Sequence, residues 1–380
     1  MTSIAGFGMT RFGKREEDLI SLAVESSRDI SARYSDSIDL VIVSNSYGGE
    51  YTGLSGLSDH ICSSLSIEET PSLRIDNTSG SGGSAIYIAN SMIESGDFNT
   101  ILIIGAEKMT SVPSRRSTSI IASLLSERER KSGLTLPSLA AFMAKIYMRE
   151  YDVGMESISS VAVKNHRNGA MNPYAHFQKP VELSEIMRSK MIADPLRIYD
   201  FCPVSDGAAS LILTRDDMVQ SFTGKAVKIS SIASSSSNPV ISERKSFLEI
   251  DCVKGASDKV FKESGLERKD VDFAELHDMS TILEIVESEN IGFFERGSGH
   301  RALLDGYTEI SGGLPINPSG GLNSKGHPIG ATGIAQACEI FQQINGLAGA
   351  RQVKKHDVGF TLNMAGFGNN AVAAIYEAFP

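Results

Sequence analysis

A serine- and glycine-rich segment at residues 77–85 is the first place where the sequence could support chemistry. It reads NTSGSGGSA and joins a predicted short strand, ending at Asp76, to a predicted helix over residues 85–94. Such a junction presents a side chain at a helix N-terminus, where backbone amides and the helix dipole stabilise negative charge. The segment could therefore hold a serine nucleophile, although a Ser/Gly turn that only caps the helix would look the same.

The same segment has a second chemical interpretation, a dinucleotide-binding loop. Gly80, Gly82 and Ala85 fit the G-x-G-x-x-A pattern of such loops. Glu107 then lies where an acid that binds a ribose hydroxyl would be expected. The glycine pattern alone is weak, so the nucleophile, dinucleotide and capping interpretations all stay open at this point.

Two histidines lie in segments with other polar or glycine residues. His277 is part of ELHDMS at 275–280, after a predicted apolar strand, and His327 is part of GHPIGATG at 326–333. Glycines on both sides of His327 allow a close approach of the backbone to a ligand, and the segment leads into a helix N-terminus. Because an isolated histidine more often has a structural role, His327 is the stronger candidate for catalysis.

Two further glycine-containing segments accompany these histidines. NPSGGL at 317–322 precedes His327, and NMAGFGNN at 363–370 follows a predicted strand at 358–362. Two glycines at a strand end indicate backbone amides that face a shared cleft.

Short apolar runs predict the elements that must position these residues. Strands are predicted at 38–43, 101–104 and 358–362, with a helix at 85–94. A second unit repeats the pattern with a strand at 314–317 and a helix at 334–344. Alternation of strands and helices predicts a mostly parallel sheet with helices on its faces. Ser3–Phe7 also resembles Val227–Ile232, which suggests a duplication with a boundary near residue 220.

Composition limits the kinds of partner. The net charge of −10 over 380 residues argues against nucleic acid and anionic membranes. Neither an apolar leader nor a run of about 20 apolar residues is present, so we predict a cytoplasmic protein. The spacing of the cysteines fits neither a zinc site nor a disulfide framework, and we predict that all four are packing or surface residues: Cys62, Cys202, Cys252 and Cys338.

GHPIGATG, preceded by NPSGG and HDMS, resembles the C-terminal half of a thiolase of the archaeal and sterol-carrier-protein-2 type. Further matches cover almost the whole chain: GFGMTRFG at 6–13, GAEKMT at 105–110, KNH at 164–166, NPYAH at 172–176 and SDGAA at 205–209. The resemblance removes the dinucleotide interpretation, because residues 77–85 then align with the family's nucleophile loop.

The resemblance implies an α/β thiolase fold with two similar halves in five layers, α-β-α-β-α. The halves are predicted as 1–220, with an inserted loop domain at 111–200, and 221–380. It also implies a homodimer or dimer of dimers, with an enzyme of acyl-CoA or isoprenoid metabolism as a further partner. The expected ligand is a coenzyme A thioester, bound through its pantetheine arm, with no metal and no separate cofactor.

Residue roles follow from the resemblance position by position. In relatives a cysteine takes the acyl group, the histidine matching His327 activates it, and the one matching His277 stabilises an enolate. The glycine matching Gly366 supplies an oxyanion-hole amide. We also predict that three residues of NPSGG contact coenzyme A: Ser319, Gly320 and Gly321.

The chain departs from the family pattern at both thiols. Ser79 stands where the nucleophilic cysteine belongs, and Met279 stands where the second, proton-transferring cysteine belongs. A hydroxyl is far less acidic than a thiol, and Met279 cannot transfer a proton, although such transfer is typically worth about 10²–10⁴-fold. The sequence therefore predicts an acyl-CoA-binding protein with weak or no condensing activity. The alternatives are an acyltransferase or hydrolase using Ser79, His327 and His277, and a structural subunit that binds nothing.

Overall fold

The computed structural model describes residues 1–222 and 225–379. Residues 223, 224 and 380, which belong to the predicted second half, lie outside the described residues. The strands are β1 (Thr2–Met9), β2 (Leu40–Ser44), β3 (Ser72–Ile75), β4 (Thr100–Lys108), β5 (Met191–Ala193), β6 (Leu196–Arg197), β7 (Asp206–Arg215), β8 (Val227–Ser236), β9 (Phe273–Glu275), β10 (Val358–Ala365) and β11 (Asn370–Ala378).

Fourteen helices are present in the described residues. They are α1 (Leu19–Tyr34), α2 (Gly48–Thr52), α3 (Leu57–Ser64), α4 (Ser81–Glu94), α5 (Ser114–Ala122), α6 (Glu127–Lys131), α7 (Leu136–Tyr151), α8 (Met155–Gly169), α9 (Leu183–Arg188), α10 (Asp251–Ser264), α11 (Thr281–Ile291), α12 (Gly299–Leu304), α13 (Gly321–Lys325) and α14 (Thr332–Ile344). None of them is long and apolar enough to cross a membrane.

Nine strands form one sheet, in the order β3-β2-β4-β7-β1-β8-β11-β10-β9. The two halves meet where β1 pairs with β8, with Thr2 opposite Ile229. From this seam outward the order is β1-β7-β4-β2-β3 on one side and β8-β11-β10-β9 on the other. In each half, a central helix directly precedes the third strand from the seam, α4 before β4 and α14 before β10. The fold therefore has two similar halves, as predicted.

Apolar side chains on both faces of the sheet explain the layers. Along β4, Ile101 and Ile103 join the cluster around α4 and α14, while Leu102 and Ile104 join the cluster around α1. Successive side chains of a strand point to opposite faces, so a continuous apolar run indicates a strand covered on both sides. Helix α10 covers the outer face of the second half. From one side to the other, the layers are α1, the first half of the sheet, α4 with α14, the second half of the sheet, and α10. This order confirms the predicted five layers.

The predicted mostly parallel sheet is wrong, because the sheet is mixed. Among the described residues, β2–β3, β2–β4 and β9–β10 are parallel, and the other five neighbouring pairs are antiparallel. The last two strands, β10 and β11, form an antiparallel hairpin. The segments that form β7 and β8 were not predicted as strands, although both belong to the central sheet.

Two predicted elements differ at their ends. The predicted strand at 314–317 is reduced to a single bridge between Ile316 and Ala274, because Asn317 has φ of 54° and ends the extended backbone. Helix α4 begins at Ser81, four residues before its predicted start. A Cβ on Gly82 would lie 2.8 Å from the backbone N of Gly333, so α4 and α14 cross with their backbones almost in contact.

Candidate active site

Ser79 occupies a sharp turn between β3 and α4. Thr78 has φ of 46°, a left-handed conformation that β-branched residues rarely adopt. Asp76 Oδ1 accepts from the Thr78 amide at 3.0 Å, and Ser81 Oγ donates to the Thr78 carbonyl at 2.6 Å. Ser79 is 4% exposed and lies two residues before the first residue of α4. The strand–turn–helix junction predicted from residues 77–85 is thus present, with a strained residue next to the serine.

Asn363, near the end of β10, connects this turn to His277. The amide of Gly83 donates to Asn363 Oδ1 at 2.8 Å, which fixes the orientation of the side-chain amide. Asn363 Nδ2 therefore donates, to the Ser79 carbonyl at 3.1 Å and to His277 Nδ1 at 3.2 Å. Because Nδ1 of His277 accepts, the proton of the neutral ring is on Nε2. This Nε2–H is buried and has no hydrogen-bond partner among the described residues, but His277 itself is not among the residues that line the cavity described below.

His327 has the opposite tautomer. Its Nδ1 lies 2.7 Å from Thr332 Oγ1, and the Thr332 hydroxyl donates to the Pro328 carbonyl at 3.0 Å. Thr332 Oγ1 must then accept from an Nδ1–H on His327. The lone pair on Nε2 is left to accept a proton. The geometry thus gives the site one N–H donor, His277, and one base, His327.

Burial keeps both rings neutral. The ring centroids of His277 and His327 are 5.1 Å apart, with the planes at 85°. Burial lowers the pKa of His327 to about 3. The pKa of His277 is lowered well below its ordinary value, first by burial and then by His327. A buried imidazole loses the hydration that its charged form needs.

Ser79, Met279 and His327 line one cavity of about 550 Å³. No hydrogen bond joins Ser79 Oγ to His327 within residues 1–222 and 225–379. Most of the other lining side chains are apolar, among them Met109, Ile121, Leu136, Ile192, Ile198, Phe201, Val204 and Ile329. The cavity suits a mostly apolar ligand with one reacting end beside Ser79 and His327.

The prediction that all four cysteines are packing or surface residues is confirmed, and Cys202, which packs against the core, also lines the same cavity. Its amide donates to the Met279 carbonyl at 3.0 Å, so the two residues lie side by side. Burial raises the pKa of the Cys202 thiol to about 12, and such a thiol is almost entirely protonated at neutral pH. Its place in the cavity was not predicted, because Cys202 itself belongs to no recognised motif.

The end of β10 approaches the Ser79 turn, but Gly366 is not among the cavity-lining residues. A Cβ on Gly80 would lie 3.0 Å from Ala365 Cβ, and Gly366 follows with φ of 61°. The oxyanion-hole role of the Gly366 amide stays a prediction.

Ser319, Gly320 and Gly321 are buried and do not line the cavity. Ser319 donates its amide and its hydroxyl to Glu275, at 2.9 and 2.6 Å. A Cβ on Gly321 would lie 2.3 Å from the carboxylate of Asp278. Their contacts are with the protein, and the predicted contact with coenzyme A stays untested.

Glu107 has a different position from the one that a ribose-binding acid would need. It is fully buried, and its carboxylate accepts from three backbone amides and one side-chain amide: Ser46, Tyr47, Gly330 and Asn45 Nδ2, at 3.0–3.1 Å. Burial raises the pKa of Glu107 to about 7, and the backbone hydrogen bonds oppose this shift. Glu107 therefore fixes the segment that carries His327 to the end of β2. Asn363, Thr332 and this role of Glu107 were missed from sequence.

The fold and this pair of histidines define a protein of the thiolase class. The chain belongs to the thiolase family: the thiolase N-terminal domain matches residues 1–217, and the thiolase C-terminal domain-like family matches residues 233–378.

Two relatives and two solved structures illustrate the similarity. The chain is 36% identical to an acetyl-CoA acetyltransferase of Methanothermobacter thermautotrophicus over 379 residues, 99% of each chain. It is 32% identical to human sterol carrier protein 2 over 402 residues, 99% of this chain and 72% of that protein. The structure of an Ltp2-ChsH2(DUF35) aldolase has a TM-score of 0.86 at 24% identity, covering 100% and 98% of the two chains. Human mitochondrial 3-ketoacyl-CoA thiolase has a TM-score of 0.76 at 17% identity, covering 99% and 98%.

Proposed function

We propose that this chain binds an acyl-CoA thioester in the cavity at Ser79 and His327 and has weak or no condensing activity. The observation that carries the proposal is that Ser79, Met279 and His327 line one cavity. The two positions that the family resemblance aligns with catalytic thiols therefore face a common space, but they supply a hydroxyl and a thioether. The acetyl-CoA acetyltransferase relatives support a thioester as the ligand.

Condensation needs a group that removes a proton from the carbon beside the thioester carbonyl. The Met279 side chain has no proton to exchange. The thiol beside it, Cys202, has its pKa raised to about 12 by burial and is a poor substitute at neutral pH. In this proposal the thioester carbonyl is held by the Nε2–H of His277, which does not itself line the cavity but has no partner among the described residues and lies with its ring 5.1 Å from that of His327. Binding would thus persist where proton transfer is lost.

A second candidate is acyl transfer to Ser79, and the tautomer of His327 favours it. With Nδ1–H bound to Thr332, Nε2 of His327 is a free base. Ser79 Oγ would attack the thioester carbonyl carbon while His327 takes the hydroxyl proton. The carbon–sulfur bond then breaks, the proton passes to the coenzyme A sulfur, and an ester on Ser79 remains. Water or another acceptor would release the acyl group.

One set of measurements with acetyl-CoA separates these functions. Calorimetry reports binding, a thiol reagent reports released coenzyme A, and intact mass reports an acyl group on the protein. We expect binding heat without release or mass gain. Release with a mass gain that Ser79→Ala abolishes would establish acyl transfer instead. Ser91→Ala, on the exposed side of α4, is the matched control. An absence of heat would leave a structural subunit as the remaining function.

The assembly stays part of the proposal. The family resemblance supports a homodimer or dimer of dimers, with an enzyme of acyl-CoA or isoprenoid metabolism as a further partner. Light scattering after size-exclusion chromatography tests the first point, because a monomeric mass at micromolar concentration would contradict it.

A further inference from the structure

The site keeps a group that can stabilise the enolate of a thioester but has none suited to forming one by proton removal. Met279 has no proton to exchange. Burial raises the pKa of the Cys202 thiol to about 12, so this thiol holds its proton at neutral pH. Burial also lowers the pKa of His327 to about 3, which makes its Nε2 a weak base toward carbon. A substrate that forms an enolate here must therefore do so without losing a proton.

The group that can stabilise an enolate is the Nε2–H of His277. It is fully buried and has no hydrogen-bond partner among the described residues, while Asn363 fixes the ring through Nδ1. The ring centroid lies 5.1 Å from that of His327, which lines the cavity. A buried donor without a partner is unfavourable and marks a site that a bound molecule completes. An oxygen that gains negative charge is the acceptor that such a donor stabilises most.

The cavity offers no cation to a bound carboxylate. Within the described residues, its lining contains no lysine, arginine, aspartate or glutamate. Three of its polar side chains already donate their hydroxyl groups to the protein: Thr118 to the Ser114 carbonyl, Thr135 to Ser138 Oγ and Tyr199 to Glu185 Oε1. Most of the remaining lining is apolar. A carboxylate held in this cavity would lose its hydration without gaining a counter-charge, which raises the free energy of the bound reactant.

Loss of carbon dioxide from such a substrate removes the carboxylate and forms an enolate without a base. When the carboxylate is attached to the carbon beside the thioester carbonyl, the electron pair of the bond between them moves into the carbonyl group. Carbon dioxide leaves as a neutral molecule, and the negative charge moves to the thioester oxygen. The transition state is stabilised relative to the bound reactant, because a carboxylate in apolar surroundings becomes an oxygen anion that faces an N–H donor.

We propose that this cavity decarboxylates thioesters of the malonyl type, which carry a carboxylate on the carbon beside the thioester carbonyl. The Nε2–H of His277 holds the enolate oxygen, and the Cys202 thiol, which lines the cavity beside Met279, gives its proton to the enolate carbon. A malonyl thioester and one proton thus become an acetyl thioester and carbon dioxide, and water returns a proton to the Cys202 sulfur. The inference rests on the proposed function and adds to it a substrate class and a reaction that needs no thiolate nucleophile.

The first experiment incubates the protein with malonyl-CoA and follows acetyl-CoA by liquid chromatography with mass spectrometry, while calorimetry measures acetyl-CoA binding. We expect acetyl-CoA to form at least about 100-fold faster than in buffer, because one oxyanion donor contributes about that factor. Neither free coenzyme A nor an acyl group on the protein should appear, which separates decarboxylation from hydrolysis and acyl transfer. Unchanged malonyl-CoA together with measurable acetyl-CoA binding would overturn the inference and leave the proposed function standing. If neither thioester binds, the proposed function itself fails.

The second experiment tests His277 with two substitutions. His277→Leu removes the donor and should lower the decarboxylation rate by about 10²–10³-fold, while His277→Gln keeps an amide N–H and should retain part of the rate. His300 supplies the matched control, because it is also buried but pairs its Nδ1 with the Tyr147 hydroxyl at 3.2 Å and does not line the cavity. His300→Leu should keep the original rate. Thermal unfolding confirms that each variant is folded, and an unaltered rate in folded His277→Leu or His277→Gln would overturn the role of His277.

The third experiment tests Cys202 through the stereochemistry of protonation. Methylmalonyl-CoA in D₂O should give propionyl-CoA with a single deuterium beside the carbonyl, and delivery from Cys202 to one face of the enolate makes one enantiomer. NMR of a chiral ester of the product measures the enantiomeric excess. Cys202→Ala should lower this excess, because water then reaches both faces, whereas Cys62→Ala, at a buried cysteine of α3 that does not line the cavity, should keep it. A racemic product from the unaltered protein, or an unchanged excess in Cys202→Ala, would overturn the role of Cys202.

Discussion

The rings of His277 and His327 stand edge to face, 5.1 Å apart, and carry their protons on opposite nitrogens. Asn363 Nδ2 donates to Nδ1 of His277, while Thr332 Oγ1 accepts from Nδ1 of His327. The pair thus offers one N–H donor and one lone pair, although both side chains are chemically identical. The surrounding hydrogen bonds assign the two roles, from distant β10 for His277 and from Thr332 in the same segment for His327.

Acid should destabilise the protein through His327. Because its folded-state pKa of about 3 lies below the ordinary 6.5, the unfolded chain binds more protons between these values. The free energy of unfolding therefore has its full value above pH 6.5 and decreases as the pH falls, by about 2 kcal/mol at pH 5. Removing the ring should remove this share of the pH dependence.

The test measures by urea titration how much the free energy of unfolding decreases from pH 7 to pH 5. We expect this decrease to be about 2 kcal/mol smaller in His327→Gln than in the unaltered protein. His60, an exposed histidine on α3, supplies the control, and His60→Gln should keep the original difference. A parallel pH dependence in His327→Gln and the unaltered protein would show that the ring titrates alike in both states.

Asn363→Asp should disrupt the site with almost no change in size. A carboxylate cannot donate to the Ser79 carbonyl and to His277 Nδ1, and both would lose a partner. We expect a loss of about 2–4 kcal/mol in unfolding free energy at pH 7, measured in urea. Asn238→Asp, in an exposed loop, should change it by less than about 1 kcal/mol. Equal effects of the two substitutions would contradict the assigned orientation of the Asn363 amide.

Glu107→Gln tests the connection between the His327 segment and β2. Each carboxylate oxygen of Glu107 accepts from two donors. In the variant, the NH₂ group of the glutamine side chain replaces one of these oxygens and faces two donors, to which it cannot hydrogen-bond. We expect a loss of about 2–3 kcal/mol in unfolding free energy and weaker acyl-CoA binding. Glu94→Gln, exposed at the end of α4, is the control and should have an effect within about 0.5 kcal/mol. A fully stable Glu107→Gln variant would show that these hydrogen bonds are replaceable.

Ser79→Cys should gain an acyl group that the unaltered protein does not hold. A thiol at a helix N-terminus near a neutral imidazole ionises far more readily than a hydroxyl, because a thiol is much more acidic. Intact mass after incubation with acetyl-CoA should increase by one acetyl group. Ser91→Cys, placed on the exposed side of the same helix, should stay unmodified. If Ser79→Cys also stays unmodified, position 79 does not face the thioester carbonyl.

Cys202 should react slowly with iodoacetamide despite lining a cavity. Its pKa of about 12, compared with an ordinary value of 9.0, lowers the thiolate fraction about a thousandfold at pH 8. Mass spectrometry of peptides should show much slower labelling of Cys202 in the native protein than in urea. Rapid native labelling that a bound acyl-CoA prevents would instead show a reactive thiol in the cavity.

The sequence determined the scaffold because local patterns encode it. Apolar runs identified β2, β4 and β10: both faces of β2 and β4 pack in apolar clusters, and one face of β10 does so through Phe360, Leu362 and Met364. GHPIGATG and the Ser/Gly segment identified the two junctions that carry His327 and Ser79, because glycines fit these close approaches. The antiparallel pairings were not predicted, because the residues of one strand do not identify the strands that pair with it.

The tertiary structure decided which groups share the cavity and how their protonation is set. Ser79, Cys202, Met279 and His327 meet only because the two halves pack around α4 and α14. The tautomer of His277 depends on Asn363 from another segment, and the four donors around Glu107 also come from other segments. Hydrogen bonds and burial of this kind act over a few ångströms in space, so positions far apart in the chain carry no local trace of them.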